Sequence, residues 1–291
     1  MRPFHEQIRL VGATGGPTKQ PVWVRWLGTA GFSLRADDHV VLFDPYLTRA
    51  SLGRCLRGDL RPDAAVVTRH VARADAVVVG HTHFDHVLDV PLVARTTRAT
   101  VFGSTSAAVL CRADGVPPSQ VVDVEGALRR GRYVTEVGPF RLEFFPSAHS
   151  RLLLGRVPAA GEIADCDAVP TTVGGYRCGA VFAVEVTVFG RTFFHLGSAE
   201  LVEESVPRRS VDTLFFTVAG WTSSREIPER VVRHLSPRQV VLGHWDDFFR
   251  PLAEPVHALP ALSLPRLRDR FHAAAPAVSV GTLPLLEEVP L

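Results

Sequence analysis

AVVVGHTHFDHVLD, residues 76–89, joins two kinds of sequence in one short stretch. Ala76 to Val79 is a continuous apolar run closed by Gly80, the signature of an interior strand covered on both faces. His81 to His86 then holds three histidines and an aspartate, and Val87, Val90 and Val93 of HVLDVPLVARTT follow at helical spacing. If 76–80 is a strand, His81 and His83 leave its C-terminal end pointing the same way, and Asp85 and His86 fall where the next helix begins. Four donors then surround one strand-to-helix turn. Imidazole with carboxylate suits zinc, or iron and manganese with less selectivity. A solvated polar loop is the plain alternative. Six residues wrap only part of a coordination sphere, so the metal reading requires ligands from elsewhere in the chain.

Outward from this stretch, strands come in two arrangements. Upstream, Val22, Val24 and Trp26 alternate, Gly31–Arg35 is a second short run and Val40–Phe43 a third, which predicts a β-meander. Residues 46–74 read as a looser, arginine-rich segment. Downstream, ATVFGS, SQVVDV, DTLFFTVAG and RQVVLGH read as strands, and STSAAVLCRA, IPERVVRHLSP and LPRLRDRFHAAA as helices. GRYVTEV with FRLEFFPSAH predicts a hairpin around Gly138 and Pro139, and AVFAVEVTVFGRTFFHLG another turning at Gly190. Hairpins together with strand–helix alternation predict mixed sheets covered by helices. Neither a linker nor a repeat interrupts the chain, so residues 1–291 are expected to form a single domain. Residues 150–178 are rich in Gly and Pro and longer than ordinary connections, the profile of a binding loop or lid, or else of disorder. Their place directly after His149 favours a loop at the active site.

Composition narrows the function classes. Apolar residues make up 46% and charged residues 21% of 291, an ordinary globular balance. A formal net charge of +2 is too small to call for nucleic acid or an acidic membrane as partner. Lys19 is the only lysine, which fits codon bias and carries no functional weight here. Cys55, Cys111, Cys166 and Cys178 show no CxxC spacing; reduced thiols fit a cytoplasmic enzyme, with a Cys166–Cys178 bridge as the alternative. The N-terminal stretch lacks a signal-peptide apolar run, and no segment reaches the ~18 apolar residues of a membrane span. The expected partner is a small-molecule substrate; oligomeric state leaves no signal in the sequence.

HTHFDH is the HxHxDH signature of the metallo-β-lactamase-fold hydrolases, and the resemblance extends over residues 22–250. WLGTAGFSL and VLFDPYL resemble the opening strands of the branch that includes the ascorbate-phosphate lactonases and the N-acylphosphatidylethanolamine phospholipase D relatives. FFPSAHS resembles the segment carrying the next histidine ligand, here His149, and VVLGHWDDF the strand delivering the last one, His244. His244 also ends an apolar strand, where sites of α/β folds collect. The resemblance implies a four-layer αββα sandwich of two mixed β-sheets flanked by helices. It implies one metal held by His81, His83 and His149 and a second by Asp85, His86 and His244. Zinc is the expected ion, one or two per chain, with manganese or iron as alternatives. Asp44 matches an aspartate that orients ligand histidines; a turn-forming Asp before Pro45 is the plain alternative.

One departure matters. In the family, the strand after the third histidine ends in Gly-Asp, and that Asp bridges the two metals; here HLGSAE places Ser198 at the bridging position. A neutral hydroxyl is a poor ligand and removes one negative charge. The first metal then binds alone, or the second binds more weakly with water completing its shell, or Glu200 reaches in. His195 reads as a non-ligand within its strand, and His70, His234 and His257 as surface or satisfied core residues.

The expected activity is hydrolysis, with metal-bound hydroxide attacking an ester, lactone or phosphodiester and Asp85 orienting the nucleophile and shuttling its proton. A non-catalytic metal-binding or scaffold protein and a di-iron redox enzyme are the other classes. Arg151, Arg156 and Tyr176 of the 150–178 loop, with Trp221 after DTLFFTVAG, are the candidate substrate-binding residues. A solvated surface is the plain alternative for the arginines.

Overall fold

The first alternating run becomes β1 (Trp23–Gly28), β2 (Gly31–Ala36) and β3 (His39–Phe43), which pair antiparallel in chain order. This is seen in a computed structural model that describes residues 3–10, 20–152, 155–260 and 262–291. β4 (Ala76–Val78), β5 (Thr100–Gly103) and β6 (Val121–Asp123) extend the same sheet in parallel from β3. The second sheet repeats the plan. β7 (Tyr133–Val137), β8 (Phe140–Ser147), β9 (Val181–Val188) and β10 (Arg191–Leu196) form an antiparallel meander. β11 (Thr213–Thr217), β12 (Gln239–Gly243) and β13 (Ser279–Gly281) continue it in parallel. The chain then crosses back, and β14 (Glu288–Pro290) pairs with β1 at the edge of the first sheet.

Period-two side-chain alternation sorts each strand between two cores. Val41, Phe43, Ala76, Val78 and Phe102 share one core with Phe144, Val184 and Phe215 of the second sheet. The intervening Leu42, Val77, Val79 and Val101 face the other way, into a core shared with the helices Val90–Thr97 and Thr105–Ala113. Phe32 stacks on Phe215 across the sheets, with ring centroids 4.4 Å apart. On the far side, the helices Ile227–Leu235 and Leu264–Ala274 bury Ile227, Val231, Leu235, Leu267 and Phe271. The result is the four-layer αββα sandwich.

Three local features depart from the sequence expectations. The helical run after the histidine cluster is two helices, Phe84–Val87 and Val90–Thr97. Asp89 lies between them, and its Oδ2 accepts the Leu47 and Thr48 N–H groups at 2.6 and 2.7 Å, tying the turn to the segment after β3. Residues 46–74 are not loose. They hold helix Leu52–Arg57, capped by the Ser51 hydroxyl and stopped by Gly58 at φ +71°, and helix Ala64–His70, capped by Asp63. Both are too short for their apolar spacing to stand out in the sequence. β13 and β14 escaped the sequence reading because three residues carry almost no alternation signal. All four cysteines are free, so Cys166 and Cys178 form no bridge.

Among the described residues of 150–178 the one helical or strand element is a 3-10 turn at Val173–Gly175. They are nonetheless anchored: the Ile163 N–H donates to Ser106 Oγ at 2.9 Å and the Cys178 N–H to the Ala159 carbonyl at 2.9 Å. Leu153 and Leu154 lie outside the described residues. No helix among the described residues is long and apolar enough to cross a membrane.

Candidate metal centre

The six predicted ligands converge because strands of both sheets end on one rim. Past β4, Gly80 lets the backbone approach Asp44: its N–H donates to Asp44 Oδ1 at 2.6 Å, and a Cβ there would lie 2.8 Å from Asp44 Oδ2. His81 and His83 follow, and the first turn of helix Phe84–Val87 presents Asp85 and His86. His149 lies just beyond β8, Ser198 just beyond β10 and His244 directly after β12. Asp44 and His244 both hold left-handed backbone, φ +41° and +54°. Non-glycine residues rarely adopt it, and such strain collects at functional sites.

Two triads result. His81, His83 and His149 form one, and Asp85, His86 and His244 the other; within each, one ligand atom per residue lies within 4.8 Å of the others. Several rings have their outer nitrogen occupied, which turns the other nitrogen inward. His83 Nε2 meets the Pro158 carbonyl at 2.8 Å, His149 Nδ1 the Ser150 carbonyl at 2.7 Å, and His86 Nδ1 meets Asp44 Oδ2 at 3.0 Å. Asp85 Oδ2 lies 3.1 Å from His244 Nε2 and 3.9 Å from His86 Nε2.

The electrostatics keep most of these groups in ligand form. Burial pushes the His81 and His83 imidazoles below their ordinary pKa, and burial with the neighbouring His83 takes His149 down to about 4. His86 goes the other way: burial opposes its charge, but Asp44 and Asp85 outweigh it. For Asp85, burial raises the carboxyl, yet His86 and the hydrogen bond to His244 overcome it and hold the group well below the usual carboxylate range.

These residues fit a divalent cation. His81 Nε2 and His83 Nδ1 sit 3.0 Å apart. Because His83 Nε2 donates to Pro158, its Nδ1 presents a lone pair. The buried Nδ1 atoms of His81 and His244 have no hydrogen-bond partner. A cation accepting the inward lone pairs would leave the remaining ring nitrogens protonated, as zinc-bound imidazoles are.

Ser198 reaches the same floor, but its Oγ accepts the Ser150 N–H at 3.1 Å. Glu200 does not reach in: its Oε1 pairs with Arg230 Nη1 at 2.8 Å. His195 belongs to neither triad; it is buried against Phe43, with Nε2 3.1 Å from the Ala30 carbonyl. His70, His234 and His257 are likewise outside both triads.

Above the triads opens a cavity of about 370 Å³. Leu152, Pro158, Ala159 and Val173 of the 150–178 loop line one side, and Phe248, Leu259, Pro260 and Leu262 another. None of the four named substrate-binding candidates is among its lining residues. Arg151 is exposed outside it; Tyr176 is 1% exposed in the core beneath the first sheet; Trp221 is 1% exposed in the other core. Large aromatic rings in irregular segments were drawn into the cores, where burial returns about 25 cal/mol per Å² of apolar surface. Arg156 is exposed as well.

Sequence reasoning missed the wall of Phe248, Leu259, Pro260 and Leu262 and a buried ion pair close to it in sequence. Arg49 pairs with Asp246, both buried, and Asp246 also accepts the Thr29 N–H at 3.0 Å. The acidic pair after His244 in HWDDFF was the available signal.

A family model described as "Beta-lactamase superfamily domain" matches residues 39–248. A UPF0173 metal-dependent hydrolase of Myxococcus xanthus is 32% identical over 285 residues, covering 96% of this chain and 90% of that protein. Another, from Enterococcus faecalis, is 24% identical over 226 residues, 76% of this chain and 85% of its own. Among solved structures, a metallo hydrolase of the archaeon Ignicoccus hospitalis superposes with a TM-score of 0.56 at 16% identity, covering 93% of this chain and 98% of that one. That likeness is one of fold.

Proposed function

The chain belongs to the β-lactamase superfamily, and from that premise we propose that it is a metal-dependent hydrolase of uncharged carboxylic esters or lactones. One observation carries the choice of bond. The two His/Asp triads form the floor of a cavity with no lysine or arginine among its described lining residues. A phosphodiester brings a permanent charge that guanidinium or ammonium groups beside the cations would help to hold. A neutral carbonyl substrate needs none. The resemblance of the opening strands to the lactonase-containing branch supports the same reading.

His81, His83 and His149 would hold one cation and Asp85, His86 and His244 the other, with zinc the ion best matched to these donors. When bound, such a cation supplies a nucleophilic water at neutral pH and polarises the carbonyl. The protein's own groups do the rest. Asp85, held ionised, accepts the water's proton at Oδ1, the oxygen that makes neither histidine contact. The water oxygen bonds to the acyl carbon, the acyl–oxygen bond breaks, and the proton passes to the departing alkoxide. Phe84, Phe248, Leu259 and Leu262 exclude bulk water, which strengthens each electrostatic contact at the floor. Asp44 fixes the orientation of His86.

The test is metal analysis of the purified protein, coupled to kinetics on p-nitrophenyl acetate, γ-butyrolactone and bis(p-nitrophenyl) phosphate with and without chelator. Bound zinc or manganese, with chelator-sensitive kcat/KM greater on the ester or lactone, is the expected result. Preference for the phosphodiester would reject the bond assignment. Absence of metal uptake would favour a scaffold, and iron with a visible chromophore a redox enzyme.

A further inference from the structure

The large apolar side chains exposed among the described residues are Leu52, Leu56, Leu152 and Val173, at 54%, 80%, 38% and 36%. All four gather at one place. Leu152 and Val173 line the metal cavity; Val173 also lines an adjoining groove of about 520 Å³, together with Leu52 and Leu56. Val173 and Phe84 are walls of both. Phe84 stands between the ligands His83 and Asp85, so the groove opens beside the reacting centre.

Helix Leu52–Arg57 builds the outer wall. Leu52, Cys55 and Leu56 recur at i, i+3 and i+4, the spacing of an apolar helix face; all three line the groove, and Cys55 also packs against the core beneath the first sheet. Phe249 lines it too. Among the described lining residues Arg57 alone is charged, and none is a carboxylate. Scattered exposed leucines need no explanation, whereas a contiguous strip that continues a binding cavity marks a ligand surface.

We infer that this groove takes an alkyl or acyl chain of the substrate. The carbonyl sits over the triads, and the chain runs past Phe84 and Val173 to the face of Leu52 and Leu56. Continuity through two shared walls argues for a chain of the same molecule rather than a separate partner. The inference rests on the ester or lactone reading, and it adds a requirement that reading lacks: a long apolar substituent.

Two measurements separate the groove from the chemistry. The first is fluorescence titration of zinc-loaded protein with N-dansyl-decylamine and N-dansyl-propylamine, neither of them hydrolysable. The second is kcat/KM on p-nitrophenyl decanoate relative to the acetate. Each methylene covered by the groove is expected to tighten binding roughly threefold to fourfold. Leu56 is 80% exposed, so Leu56→Asp is tolerable to the fold, which its thermal unfolding checks. It is expected to weaken decyl binding by about tenfold or more and to lower the decanoate-to-acetate ratio. Decyl binding that is lost in Leu56→Asp, without hydrolysis of any ester, supports the groove and rejects the hydrolase reading. Equal affinity for the two dansyl probes, or no effect of Leu56→Asp, overturns the groove. So does wild-type self-association that Leu56→Asp abolishes while decyl binding stays unchanged, since the strip is then an interface between copies.

Discussion

Ser198 Oγ accepts the Ser150 backbone N–H at 3.1 Å, so the residue at the expected bridging position instead holds the turn after His149. Between them the two triads contain one carboxylate, Asp85. A Ser198→Asp variant keeps an acceptor for Ser150 and adds a negative charge at the floor. Its affinity for a second zinc, measured by chelator competition with metal analysis, is expected to rise by about tenfold or more. Unchanged stoichiometry and affinity would show that position 198 does not face the second cation.

Asp44 serves two partners through two oxygens, the Gly80 N–H at 2.6 Å and His86 Nδ1 at 3.0 Å. Asn tolerates the left-handed backbone at this position and can still accept from Gly80, but it lacks the charge facing His86. Asp44→Asn should therefore unfold near the wild-type temperature while metal affinity falls roughly 10- to 100-fold. Asp44→Ala orphans a buried N–H and should lose a further ~1–3 kcal/mol of stability. Thermal unfolding and zinc competition on both variants decide it; equal metal affinity in Asp44→Asn and wild type would dismiss the orienting role.

The legible part of this molecule is what strand ends and dense donors record locally. Apolar runs closing in His81, His149 and His244 place their last residues on one rim of a strand-built fold, and the hexapeptide carries its own turn. The walls were not legible, because Phe84 meets Phe248 only after the chain has folded across both sheets, with ring centroids 6.3 Å apart. Tyr176 and Trp221 show the converse. Their sequence positions flank the site, but nothing local tells which way a ring in an irregular segment will turn. The helices Leu52–Arg57 and Ala64–His70 hid for a related reason: each is about two turns or less, with most of its surface exposed.

Asp89 makes stability depend on pH without touching either triad. Burial raises its carboxyl to about 6, although two backbone N–H groups and the Thr48 hydroxyl donate to it. Between the ordinary 3.8 and about 6 the folded state therefore binds the extra proton. This contribution is greatest at low pH and diminishes as pH rises through that window, by up to about 1.4 kcal/mol per unit. Asn at this position cannot titrate. Urea unfolding of wild type and Asp89→Asn at pH 4 and pH 6.5 should give a wild-type-minus-variant difference that falls as pH rises. A difference that grows with pH would mean the three donors hold Asp89 ionised throughout.

Asp85 is the residue on which the proposed chemistry most depends. It is buried, it lies 3.1 Å from His244 Nε2, and it is held ionised by His86 and His244 against its own desolvation. Removing it takes away the one negative charge of the triads and the proton acceptor together. Asp85→Ala is expected to lower kcat by on the order of a thousandfold or more, since a positioned acid–base group alone contributes 10²–10⁴. It should also release one cation per chain. Asp85→Asn isolates the two roles: it preserves shape and one oxygen ligand but cannot accept a proton, so kcat should fall with less loss of metal. Metal content and kcat read on the same samples separate these effects. Turnover near wild type in Asp85→Ala would exclude this carboxylate from both roles.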